Sequence, residues 1–277
     1  MPRREILVCD SVTKFGADAS GATAIAASHG GVYAAHLALQ AGIVGLVLND
    51  AGIGLENAGI GGLAYCDEWR IPCAVIDHRS ARIGDGADCA ARGVVSFVND
   101  AAAALGVVPG MAAVDAAQRM RAADLPPVHP AALPEESRVQ LTLSGAARDL
   151  VLTDSASLVG AQDIGVVVFT GSHGGLLGGH AETAIKAAVH AALYNDAGIG
   201  IDEAGVSRLP ALDDRGIAGV TVAAASARIG DARSSYDTGV LSRVNRTAAA
   251  AGARVGMSAK AFAELMCETT RTTRRSS

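Results

Sequence analysis

The chain has 277 residues, half of them hydrophobic and only 3% aromatic, with a formal net charge of −5. So few aromatics disfavour base-stacking platforms, and the negative balance argues against a general nucleic-acid binder; the basic cluster Arg271, Arg274 and Arg275 reads as a solvated tail. No apolar run approaches the roughly 18 residues needed to cross a bilayer, Met1 to Arg4 lead straight into Ile6-Leu7-Val8, and the five cysteines form no CxxC pair. The expectation is a cytoplasmic protein with no membrane span, disulfide framework or zinc knuckle.

Along the chain, short apolar runs predict strands at 5–9, 22–27, 44–48 and 73–77. Helical stretches are expected at 31–40, 58–68 and 94–105. Four prolines between 124 and 136 exclude regular helix or central strand and mark a linker over 124–146, with an extra strand at 139–143 inside it. The pattern then starts again, with strands at 165–170, 191–194 and 219–223. Alternating strands and helices of this kind form an α/β fold.

The second half repeats the first in its loops more faithfully than in its core. Ser28-His29-Gly30-Gly31 recurs as Ser172-His173-Gly174-Gly175, and Asn49-Asp50-Ala51-Gly52-Ile53-Gly54 as Asn195-Asp196-Ala197-Gly198-Ile199-Gly200. Ser80-Ala81-Arg82-Ile83-Gly84-Asp85 recurs as Ser226-Ala227-Arg228-Ile229-Gly230-Asp231. The offset between copies lengthens by two residues between Gly31 and Asn49, in or beside one predicted helix. A duplicated core tolerates volume-conserving swaps, so identical polar loops suggest a shared chemical task. The chain is therefore read as two tandem homologous repeats, 1–123 and 147–277, each a mostly parallel sheet flanked by helices, related by a pseudo-two-fold axis and descended from a dimer that could assemble further.

Each repeated loop follows a predicted strand, and ligands of open α/β sheets bind at the carboxyl ends of the strands. Convergence of the loops would place Ser28, His29, Asn49, Asp50, Arg82 and Asp85 in one site, and Ser172, His173, Asn195, Asp196, Arg228 and Asp231 in another. His29 and His173 are the acid/base candidates, because imidazole titrates near neutrality; Asp50 and Asp196 could orient them, and Ser28 and Ser172 stand beside them. Arg82 and Arg228 offer a planar fork for a carboxylate, while Gly30, Gly31, Gly174 and Gly175 let a ligand approach the first turn of a helix. Blander roles compete: Ser28 and Ser172 as helix caps, and Arg82 paired with Asp85 only to pin its loop.

Other chemistries are disfavoured. His36 and His180 stand seven residues after the loop histidines, about 10.5 Å of helical rise, too far for a shared metal ion, so neither metal nor cofactor is expected. No Walker loop, dinucleotide fingerprint or nucleophile elbow occurs. Cys89, which aligns with Ser235, is a lesser candidate nucleophile. From Phe169 to Gly198 the order of a His-Gly loop followed by Asn-Asp-Ala-Gly resembles the His loop and Ala-Cys loop of caspase-like cysteine peptidases. Gly198, like Gly52, stands where the nucleophilic cysteine would be, so thiol peptidase activity is rejected.

The leading expectation is an enzyme that hydrolyses the C–N bond of a small amide or cyclic amide bearing a carboxylate, with proton-transfer lyase or isomerase chemistry close behind. The rival is a non-catalytic protein that binds one small anion. It gains if the histidines prove buried and tied to backbone.

Overall fold

The computed structural model describes residues 5–123, 125–131 and 137–268. Met1 to Arg4, the basic tail with Arg271, Arg274 and Arg275, and parts of the linker (124 and 132–136) lie outside the described residues.

In the first half, β1 (Ile6–Cys9), β2 (Thr23–His29), β3 (Gly45–Asn49) and β4 (Cys73–Ile76) lie side by side in chain order, all parallel, and β5 (Val95–Val98) closes the sheet antiparallel to β4. Strands buried on both faces need apolar side chains pointing both ways, and the continuous runs of β2 to β4 supply them. Ala24, Ala26, Leu46, Leu48 and Val75 pack against α1 (Val32–Gln40) and α2 (Gly62–Glu68). Ile25, Val47, Ala74 and Ile76 face the layer built from α3 (Gly86–Arg92), α4 (Asp100–Ala104) and α5 (Ala113–Ala122).

The second half has a six-stranded sheet. β7 (Leu150–Thr153), β8 (Val167–His173), β9 (Ala191–Asn195) and β10 (Ala218–Val222) are parallel, with β11 (Leu241–Val244) and β6 (Arg138–Leu141) antiparallel on the two edges. β6 is the extra strand expected within the linker. α6 (Arg208–Asp213) lies on one face, and α7 (Ala232–Thr238), α8 (Arg246–Ala250) and α9 (Ala259–Cys267) on the other. Among the described residues no helix is long and apolar enough to cross a membrane.

Two expectations are corrected. The segment 94–105 is not one helix: Val95-Ser96-Phe97-Val98 alternates with period two and forms β5, and Asn99 then caps α4 by accepting from the Ala102 N–H. The second half also does not repeat α1. Between β8 and β9 the only helical turn is the 3-10 segment Ala181–Thr183, and Gly178 and Gly179, at φ +60° and +74°, break any longer helix. This is where the offset between copies changes. Carbonyls that a helix would have satisfied are bonded instead by Arg208, a buried side chain that donates to the oxygens of Gly175, Thr183 and Ala184 and stacks on Tyr194. Gly62 holds the aligned place in the first half, and a Cβ there would lie 2.8 Å from the Gly30 oxygen and 3.0 Å from Ala35 Cβ.

The halves meet through their repeated loops. Ala51, Ile83 and Ala58 of the first half form one small core with Ala197, Ala204 and Ile229 of the second. The second half also donates two backbone bonds across the joint, Gly178 N–H to the Gly84 oxygen (2.8 Å) and Ile201 N–H to the His78 oxygen (2.9 Å).

Candidate functional site

His29 and His173 end β2 and β8. Ile25 pairs with Val47 but His29 with Asn49, so β2 carries two extra residues there; β8 does the same between Phe169 and His173. Such bulges re-aim side chains, and both imidazoles turn toward the joint between the halves. His29 lies beside Gly230 of the second half and His173 beside Gly84 of the first. The sites are thus composite, the third loop of each half facing the histidine of the other.

Both rings are held in one tautomer. His29 Nδ1 accepts from the Gly31 N–H at 3.2 Å and His173 Nδ1 from the Gly175 N–H at 3.1 Å, so the proton of the neutral ring sits on Nε2. Burial pushes the His29 imidazole down to about 4. His173 falls well below its ordinary value, first through burial and then through the neighbouring Arg208 charge and its proximity to the His29 ring. At neutral pH each is an uncharged Nε2–H donor with no free lone pair on that nitrogen.

The two histidines line a common cleft of about 200 Å³. Ser11, Thr13, Ser28 and Tyr33 line it from the first half, with Asp154, Ser155, Ser172 and Gly230 from the second. Ser28 Oγ accepts from the Val12 N–H (3.0 Å) and Ser172 Oγ from the Ala156 N–H (2.9 Å); neither serine is bonded to a histidine, and neither caps a helix of its own. Tyr33 and Ala34, in the first turn of α1, also line the cleft, and Gly31 begins that helix with no side-chain cap.

The remaining expected site residues are drawn into the joint instead. Asn49 accepts from the Ala51 N–H and donates to the Ala81 oxygen, and Asn195 treats Ala197 and Ala227 alike. Asp50 accepts from the N–H groups of Gly52 and His78, from His78 Nδ1 at 2.8 Å and from Ser96 Oγ, so the imidazole it orients is His78, not His29. Asp196 accepts from the N–H groups of Gly198 and Ala224. Arg82 pairs with Asp202 at 2.8 Å, and Arg228 with Glu56 at 2.8 Å and Asp231 at 2.8 Å, so each arginine clamps a carboxylate of the opposite half. Asp85 and Asp231 cap α3 and α7. Gly30, Gly31, Gly174 and Gly175 make room for protein: a Cβ on Gly30 would meet the Gly59 oxygen at 2.6 Å, and one on Gly175 the Ile83 oxygen of the other half at 2.9 Å.

Cys89 is buried, its thiol is pushed up by that burial and donates to the Arg82 oxygen, and it does not line the cleft. Asp50, Asp77 and His78 bring possible metal-ligating atoms within 4.8 Å of one another, but Asp50 and His78 already bond each other and Asp77 grips Arg79. Sequence reasoning missed Ser11, Thr13, Asp154 and Ser155. The Asp-Ser pairs 10–11 and 154–155 do recur in sequence, and that recurrence was the available signal.

The chain matches no protein-family model, no curated protein and no solved structure.

Proposed function

We propose that the cleft between the halves binds a small, neutral, carbonyl-bearing molecule, and that the halves are duplicated repeats related by a pseudo-two-fold axis. The observation that carries this reading is the pair of neutral Nε2–H imidazoles, one from each half, lining one cleft and fixed in tautomer by backbone. Two such donors with serine and threonine hydroxyls suit carbonyl oxygens. A carboxylate fits less well, because among the described residues no lysine or arginine lines the cleft while Asp154 does. His173 is buried, His29 is partly buried, and both are tied to backbone, the condition under which binding without turnover gains over acid/base catalysis. The duplication is supported by reciprocal contacts: Arg82 reaches Asp202 as Arg228 reaches Glu56, and each histidine faces the other half's glycine.

Hydrolysis of an amide or cyclic amide is the second reading, favoured by one feature. A neutral imidazole N–H aimed at a carbonyl stabilises developing oxyanion charge, and Asp154 is the cleft carboxylate that could take a proton from attacking water.

Calorimetric titration at pH 7 with acetamide, succinimide and succinate tests both. The two amides bind and succinate does not, and His29→Phe or His173→Phe abolishes binding. Binding of succinate alone, or amide binding indifferent to both substitutions, overturns the assignment. Ammonia release from acetamide separates turnover from binding.

A further inference from the structure

The cleft does not end at the histidines. Val12, Thr13, Tyr33 and Leu37 line it and also line a second, larger cavity of about 710 Å³ that continues over α1 to Phe15 and Ala41. The two are therefore successive parts of one groove between the 3-10 turn Val12–Lys14 and helix α1. Its character changes along its length. The inner end presents the histidines and serines; the outer part carries an apolar strip of Val12, Phe15, Leu37 and Ala41, buried or partly accessible, rimmed by exposed Thr13, Ser20, Gln40 and His129. From Tyr33 to Ala41 a helix rises about 12 Å. At the far end His129 lines the groove, its Nδ1 3.3 Å from the Gln40 oxygen.

The second half offers no equivalent, because the segment between β8 and β9 has no α-helix and Arg208 occupies that place. A ligand whose carbonyl head sits between the histidines thus has one direction in which to extend.

We infer that the ligand is an amide or imide carrying an extended apolar substituent, the head held by His29 and His173 and the chain lying along α1 toward Ala41. This rests on the carbonyl-binding reading above and adds the shape of the rest of the molecule. An anionic lipid is disfavoured because none of the described residues at the head is a lysine or arginine. Apolar area leaving water supplies the gain in affinity, about two- to four-fold per methylene for a chain between half and fully covered.

Titrations with acetamide and hexanamide, with hexanoate as control, test it. Hexanamide binds at least about tenfold more tightly than acetamide, and hexanoate shows no binding. Ala41→Asp, which places a charge in the outer groove away from the histidines, weakens decanamide, whose extended chain is long enough to reach that position, by at least about tenfold and leaves acetamide unchanged. Should that variant fail to fold, exposed Gln40→Trp, which fills the groove's end, serves the same purpose. Equal affinity for the two amides overturns the groove assignment and leaves the head assignment standing. Binding of neither amide overturns both, and hexanoate binding as tightly as hexanamide overturns the requirement for an amide head.

Discussion

Gly52 and Gly198 meet backbone to backbone at the centre of the joint: a Cβ on Gly52 would lie 2.7 Å from Gly198 Cα, and one on Gly198 2.8 Å from Gly52 Cα and 2.9 Å from His78 Cδ2. Both stand at positive φ, +71° and +73°, inside loops where Ala51, Ile53, Ala197 and Ile199 are left-handed too. A β-branched residue in that region is strained, and here side-chain bonds from Asn49, Asp50, Asn195 and Asp196 to the loop N–H groups hold it. Gly198→Ala is therefore expected to cost about 3 kcal/mol or more, roughly 1–2 from the left-handed backbone and the rest from overpacking. Gly179→Ala is the control: φ is +74° but nothing lies within 4 Å, so only the backbone cost applies. Thermal unfolding of the two variants separates the terms, and equal losses would mean that the glycine contact contributes nothing.

Stability should fall on mild acidification. His29 titrates near 4 when folded and near 6.5 when unfolded, and His173 is displaced in the same direction. Below pH 6.5 the unfolded chain takes up protons that the folded chain refuses, so the His29 contribution, fully present above 6.5, is lost as pH falls toward about 4, at about 1.4 kcal/mol per pH unit, and His173 acts in the same direction. Urea unfolding between pH 4.5 and 7 checks this, and His29→Gln should flatten the slope. An unchanged slope would mean that His29 does not titrate as described.

Arg208→Met removes the donor to three carbonyls where the second half lacks α1. Leaving buried acceptors unpaired costs about 1–3 kcal/mol each before relaxation, so a net loss of about 2–4 kcal/mol is expected in denaturant titration. The same change removes a positive charge beside His173, whose pKa should rise. A loss of stability with no movement of His173 would show that the charge of Arg208 does not reach the cleft.

Arg228→Lys should leave ligand affinity unchanged, because the guanidinium holds Glu56 and Asp231 rather than facing the cleft. At 43% exposure the pair is a surface one, and its loss is expected to cost under about 1 kcal/mol. Tenfold weaker amide binding in this variant would return Arg228 to the binding site.

Much of this was legible in sequence, for identifiable reasons. The continuous apolar runs of β2, β3, β4, β8, β9 and β10 left little room for another assignment, and Val139 announced β6. The segment 94–105 misled because Ala101 to Ala104 lend helical character to a stretch whose first residues pair with β4. The missing counterpart of α1 could have been suspected from Gly178-Gly179, but the replacement by Arg208 depends on contacts between segments far apart in the chain. At the site, the identity of the loops pointed to His29 and His173 and also to residues that serve the joint. Asn49, Asp50 and Arg82 repeat as faithfully as the histidines because two left-handed loops packed against each other are as demanding as a ligand. Sequence identity between halves does not distinguish the two demands; the hydrogen-bond partners do.

The most direct test is a long-range ¹⁵N–¹H spectrum of the histidine side chains at pH 7, with and without hexanamide. His29 and His173 are expected as neutral Nε2–H tautomers whose Nε2 resonances move as the amide is added, while His78 stays in place. Rings protonated on Nδ1, or Nε2 signals unmoved by a saturating amide, would contradict the carbonyl-binding reading.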